Sequence, residues 1–272
     1  MKQLIKMEMK RAFISWPYFF VLLIGILISI LHVKQEIMPS INFDYPRKEG
    51  DPLLTPWTRW IGFEYTSFTT NLLYLLLPIL AAIPFGDSYY LDQKSGYLKG
   101  IMTRSSKGNY LLSKYFVTFI SGGSVILIPL MINFLICSWL LPNTPQDPTW
   151  GNAPLVDSSM WVDLYYEHPY LYVSRYLAID FVFAGTLAII CLAVSVAVKK
   201  QFAVLLAPFM VYLVMFVIFP LAGLEQYSPF LFLKPGQGVI GLTVTKIITI
   251  WFPLWMLSSL IFFTGAWKSE AY

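Results

Sequence analysis

The chain of 272 residues is 57% hydrophobic and only 12% charged, with a formal net charge of +4 and a mean hydropathy of +0.63. A soluble domain has about a quarter of its residues charged, so this composition cannot cover a water-exposed surface and lipid must be the solvent for much of the chain. Two cysteines inside apolar runs, Cys137 and Cys191, argue against a disulfide framework, and with only two histidines, His32 and His168, a structural zinc site is not expected.

In chain order, residues Met1 to Phe13 read MKQLIKMEMKRAF. Leu4, Ile5 and Met9 among Lys2, Lys6, Lys10 and Arg11 suit a short helix lying on the cytoplasmic membrane face; the alternative is a basic flank of the first span. The apolar run that follows is too long for a secretory leader, and no small-residue cleavage site follows it. Six spans are expected, at about Trp16 to His32, Phe68 to Phe85, Tyr115 to Leu141, Tyr176 to Val198, Phe202 to Leu221 and Thr243 to Trp267. Each reaches or approaches the roughly 20 residues that a helix needs to cross the hydrocarbon layer. Long runs without strict alternation exclude a barrel. The fold class read from this pattern is an all-α integral membrane protein.

Twelve of the nineteen Lys and Arg fall on the side of the N-terminus, and seven are spread over the longer loops of the other side. The positive-inside rule therefore puts both termini in the cytoplasm. Trp16, Trp139 and Trp267 stand near span ends, as interfacial anchors do. The outer loops 34–67 and 142–175 are rich in proline and aromatics. They are expected to form a small cap, with a short helix near Ser158 to Tyr166; lid over an exit path and plain interfacial packing are both open. The outer segment 222–242 contains the apolar Phe230 to Leu233, too short to span, punctuated by Pro229, Pro235, Gly236 and Gly238. It reads as a re-entrant hairpin, with a plain loop as the alternative.

Residues 87–114, DSYYLDQKSGYLKGIMTRSSKGNYLLSK, form the one sizeable loop on the basic side. Tyr97, Leu98, Ile101 and Met102 make one face of a short amphipathic helix. That face either fills a groove on a partner protein or lies on lipid headgroups. Asp180 is the one carboxylate inside a predicted span. It lies about a turn from the outer end, near Arg175 and Tyr176, and a satisfied interfacial group is the preferred reading over a transport site. Small residues Ala184, Ala188, Cys191 and Ser195 form one stripe suited to close helix contact. No phosphate-binding loop, no H-E-x-x-H and no G-x-S-x-G is present, so no enzymatic activity is expected of the chain itself.

The plan of six spans, inner termini, N-terminal interfacial helix and inner helix between spans two and three resembles the ABC-2 type permease family. The local match runs through Asp92, then Ser95-Gly96-Tyr97-Leu98-Lys99, then Arg104-Ser105-Ser106-Lys107, then Tyr110-Leu111-Leu112-Ser113-Lys114. Tyr97 stands where the family commonly has Thr, Lys107 where it has Arg, and the frequent proline before the third span is absent. The resemblance implies a cell-membrane permease coupled to a separate ABC ATPase subunit, which would bind ATP and magnesium. That subunit would dock through Asp92, Gly96, Tyr97, Leu98, Ile101, Met102 and Arg104. A second permease copy or homologue would complete a pathway faced by spans two and five, where Tyr74 and Phe209 join Asp180 as substrate-path candidates. The cargo expected is amphipathic or apolar: a peptide, an antibiotic or a lipid-like molecule. The alternatives are a peptide-sensing or immunity subunit and an ATP-independent secondary transporter. No nucleic-acid partner is expected.

Overall fold

The structure is a computed structural model that describes residues 1–42, 54–103, 105–144, 154–155, 159–236 and 238–268. Among these residues it is all helical: α1 Lys2–Phe13, α2 Trp16–His32, α3 Met38–Asn42, α4 Pro56–Arg59, α5 Phe68–Ala82, α6 Ser88–Lys94, α7 Tyr97–Met102, α8 Lys107–Leu140, α9 Val162–Glu167, α10 Pro169–Val194, α11 Gln201–Leu221, α12 Pro229–Phe232 and α13 Val244–Lys268. Five helices are long and apolar enough to cross a membrane: Trp16–Ile41, α8, α10, α11 and α13. The chain is thus a multi-pass membrane protein. α5 has 15 residues, about 22 Å at 1.5 Å per residue, and is shorter than the other five.

The boundaries depart from the sequence expectation at three places. The first span runs on past His32, because a π-helical turn at Val33–Ile37 joins α2 to α3 without a break; polar Lys34 and Glu36 hide this continuation in the sequence. α8 begins at Lys107 and not near Tyr115, and it is 34 residues long. α10 begins at Pro169, whose missing N–H and fixed φ suit the first helical position. The short helix expected near Ser158 to Tyr166 lies at Val162–Glu167.

α8 and α10 form the centre of the bundle, and glycine sets their separation. A side chain on Gly122 would strike Cβ of Ala188, and a Cβ on Gly123 would sit 2.6 Å from the ring of Phe181. Reciprocally, a Cβ on Gly185 would sit 2.7 Å from the ring of Phe119. Each aromatic therefore covers a glycine of the opposite helix, and the two rings meet edge to face at 5.7 Å. Part of the small-residue stripe works as expected: Ala184 and Ala188 meet Gly122, and Cys191 meets Gly86. On its other side α8 holds α2, where Ser29 Oγ donates to the Pro129 carbonyl at 3.0 Å and Gly25 lies beneath the proline ring.

At the end away from the N-terminus, the segments before α5 and α10 cap the bundle. Phe63 stacks on Tyr165 at 5.7 Å, and Trp57 meets Tyr170 edge on at 5.7 Å. Asn133 of α8 ties this cap down: its Oδ1 accepts from the Ile61 N–H at 2.8 Å, while its Nδ2 donates to the Ser29 carbonyl at 3.0 Å. After α11 the chain turns back. Phe230 packs on Phe216 and Phe232 on Phe183 before α13 begins.

Candidate functional site at the basic end of the bundle

The end that carries the N-terminus gathers α1, α6, α7, the start of α8 and the end of α13. α1 is amphipathic: Lys2, Lys6 and Lys10 are exposed, whereas Glu8 and Ala12 are buried. Glu8 is the one acid in this basic helix, and it is buried because it meets two cations. Its carboxylate accepts from Arg11 at 3.0 Å and from Lys114 Nζ of α8 at 3.0 Å. Both cations also meet Asp92 of α6, Arg11 at 2.7 Å and Lys114 at 2.5 Å. Glu8, Arg11, Asp92 and Lys114 therefore close a ring of alternating charge with no net charge. Tyr110 adds a further donor to Asp92 at 2.5 Å. The Lys114 ammonium lies 4.5 Å from the Phe85 ring centre, and the Arg11 guanidinium lies 4.3 Å over Tyr97.

Burial by itself would raise the Asp92 carboxyl, but the ammonium of Lys114, the guanidinium of Arg11 and the Tyr110 hydroxyl outweigh it and hold the group below the usual carboxylate range. Burial works against Arg11 too, yet Asp92 and Glu8 raise it further above its already high value. Asp87, one turn before, goes the other way: burial raises it despite the hydrogen bond from Gln201 Nε2 at 2.7 Å. Asp92 thus stays ionised and holds three elements together.

α6 and α7 form an elbow around Gly96, which has φ +74°. In the left-handed region glycine avoids the Cβ penalty, so the chain can turn sharply after α6 and restart. The sequence reading pointed the apolar face of this helix outward, at a partner or lipid. The structure turns it in. Leu98 and Ile101 are buried against Tyr89, Tyr110, Leu192 and Phe262, with Tyr97 and Met102 partly buried beside them. Asp92 is 1% exposed and likewise faces inward. The apolar face finds its groove inside this chain, formed by α8, α10 and α13. What the elbow exposes is mostly polar and basic, Lys94, Ser95, Gly96, Lys99, Gly100 and Thr103, with Leu91 as the apolar exception. Arg104 lies outside the described residues.

The three substrate-path candidates separate into a pair and an outlier. Tyr74 of α5 and Asp180 of α10 are joined: the Tyr74 hydroxyl donates to Asp180 Oδ2 at 3.3 Å. Phe209 is half-buried on α11. One part of the reading of Asp180 as a satisfied interfacial group is corrected: its Oδ1 has no hydrogen-bond partner among the described residues. Because α10 starts at Pro169, Asp180 sits three turns into the helix, about 16 Å along it, and it is wholly buried. Arg175 does not neutralise it, since that guanidinium lies over the ring of Trp161.

Sequence reasoning missed Glu8, Arg11, Tyr110 and Lys114 as site residues. A signal existed: Glu8 is a lone acid in a basic amphipathic helix, and Lys114 stands where apolar residues take over in α8. Among the described residues, no group of three or more His, Cys, Asp or Glu could hold a metal ion. The chain matches no protein-family model, no curated protein and no solved structure.

Proposed function

We propose that the chain is the permease subunit of an ATP-driven ABC exporter that moves an amphipathic or apolar molecule out of the cell. The observation that carries this reading is the anchored elbow. Its outer face is exposed and mostly polar, whereas its inner face is fixed to α1 and α8 through the charge ring. A protein that pushes on Lys94 to Thr103 would move α6, and α6 cannot move without drawing α1 and the 34-residue α8 with it. In this reading Asp92, Leu98 and Ile101 transmit the push, and Lys94, Ser95, Lys99 and Thr103 receive it. ATP and magnesium belong to the partner ATPase. The N-terminal end is cytoplasmic, α5 completes a sixth span, residues 222–242 form a re-entrant turn, and a second permease copy or homologue completes the pathway in the plasma membrane.

The test is co-purification with site-directed cross-linking. A tagged chain extracted in mild detergent should bring down a nucleotide-binding protein, and Lys99→Cys should cross-link to it. A chain that purifies without any such partner overturns the reading. A second reading, an ATP-independent secondary transporter, draws support from one observation: Asp180 is a buried carboxylate inside a spanning helix, and among the described residues no cation pairs with it. Transport that continues without ATP and collapses with the ion gradient would favour it.

A further inference from the structure

Asp180 is the group that the proposed coupling route leaves unused. It is wholly buried in the middle of α10, within a span. One carboxylate oxygen, Oδ2, accepts from Tyr74 at 3.3 Å, and the other, Oδ1, has no hydrogen-bond partner. Tyr212 of α11 is buried as well, its hydroxyl also has no partner, and it interacts electrostatically with Asp180. Three helices thus bring one carboxyl and two phenols together in an apolar interior.

Among the described residues, the charged groups on the elements around this cluster are engaged elsewhere. Tyr74 faces the carboxyl from α5, Tyr176 from its own helix and Tyr212 from α11. One turn from Tyr74, Asn71 Oδ1 accepts from Lys234 at 2.9 Å, and that ammonium lies 3.8 Å from the Phe230 ring centre. Arg59 is paired with Glu64 at 2.6 Å, and Lys246 donates to the Gly241 carbonyl at 2.7 Å. α8 keeps its charges, Lys107 and Lys114, at the basic end, and α13 keeps Lys246 and Lys268 at its two ends. A bare carboxylate with one empty oxygen in such a place lacks both a counter-ion and the donors that would replace water. A metal cation would need more oxygen ligands than one carboxyl and two phenols supply. A proton needs only the one oxygen that is vacant.

We propose that Asp180 is a proton-binding site inside the bundle. In the arrangement described here Oδ1 carries the proton and Oδ2, the carbonyl-like oxygen, takes the Tyr74 hydrogen bond. When α5, α10 and α11 part and water enters, the carboxyl ionises and the proton passes to that water; closure takes it back. The site requires only that α10 lies in the membrane, so it stands under either functional reading.

The test is infrared spectroscopy of the purified chain in lipid nanodiscs at neutral pH, with no partner protein present. A protonated-carboxyl carbonyl band should disappear in Asp180→Asn, and in Tyr74→Phe it should move to higher frequency as its hydrogen bond is lost. Loss of carboxylate bands alone in Asp180→Asn, or an unmoved band in Tyr74→Phe, overturns the proposal. Should Asp180→Asn fail to fold, wild-type protein treated with a hydrophobic carbodiimide, which attacks protonated carboxyls in the membrane, decides the matter. Asp180 should be the principal modified residue, and labelling no stronger there than at exposed Asp163 overturns the proposal. Since no ATPase takes part, failure here leaves the exporter reading standing, and failure of co-purification leaves the proton site standing.

Discussion

Asp92 accepts from three side chains at once, Arg11, Lys114 and Tyr110, and Lys114 is wholly buried between Asp92 and Glu8. Buried ion pairs are costly to break one-sidedly, because the partner left behind keeps its charge and loses its compensation. Asp92→Asn and Lys114→Met should each destabilise the protein by about 3–5 kcal/mol, read as a lower unfolding temperature in detergent. The double variant Glu8→Gln with Lys114→Met removes one charge of each sign, and it should fall well short of the sum of its single variants. Additive losses would show that the two side chains are not coupled. The ring also gives a pH dependence. A carboxyl held below its unfolded value contributes stability that is complete above the unfolded pKa, about 3.9 for Asp. That stability is lost as pH falls through the folded value. As pH falls below about 4, α1 should therefore progressively lose its hold on α6, seen as faster hydrogen exchange in residues 2–13. Asp92→Asn should abolish that acid dependence.

Within single elements, glycine makes opposite demands. Gly96 turns the elbow with φ +74°, and nothing lies within 4 Å of where its Cβ would be. Gly100 is equally unobstructed but has ordinary helical geometry inside α7. Gly96→Ala should therefore destabilise the elbow by about 1 kcal/mol through backbone strain alone, whereas Gly100→Ala should stabilise it by about 0.5–1 kcal/mol. Local hydrogen exchange of α6 and α7 separates the two. In the core the constraint is space: Gly122→Leu would force α8 off α10 at Ala188 and should abolish the folded protein in size-exclusion analysis. Gly108→Ala, whose new Cβ would meet only the Trp267 ring at 3.8 Å in the first turn of α8, should leave the fold intact and, like Gly100→Ala, not lower its stability.

These elements differ in how far the sequence discloses them. α2, α8, α10, α11 and α13 are legible because apolar length alone specifies a membrane helix, and the aromatic richness of the far loops announces a packed cap. The ends of the helices are not legible, because the polar residues Lys34, Glu36, Ser174 and Arg175 lie within helices that hydropathy would stop. The inward face of α7 is hidden for a related reason. An amphipathic pattern states that one side is buried but not whether the burying surface belongs to another protein. The charge ring is out of reach of any local pattern, since Glu8 meets Lys114 across 106 positions and Arg11 meets Asp92 across 81. Asp180 was visible as a residue, yet its depth depended on where α10 starts.

For the whole molecule, the charge ring, the elbow and the exposed Lys2, Lys6 and Lys10 share one end. A bilayer that obeys the positive-inside rule fixes which compartment this end meets. Ser95→Cys on the elbow should react with a membrane-impermeant maleimide in inverted vesicles and stay unlabelled in intact cells. Thr66→Cys, near the far cap, should show the reverse. Labelling of Ser95→Cys in intact cells would invert the topology and remove the elbow from any cytoplasmic engine.

The crossed rings of Phe119 and Phe181 carry a mechanical consequence. Each ring is seated in a notch that only a glycine leaves open, so α8 and α10 cannot creep past one another by small steps. Either helix would first have to lift a phenyl group out of its seat and over a backbone. The two helices therefore turn as one strut, gripped at its basic end and carrying Asp180 along its length. Opening between the strut and the more loosely attached α5 and α11 would unroof the carboxyl, so under the proposed coupling a tug at one end of the protein would arrive as wetting at its middle.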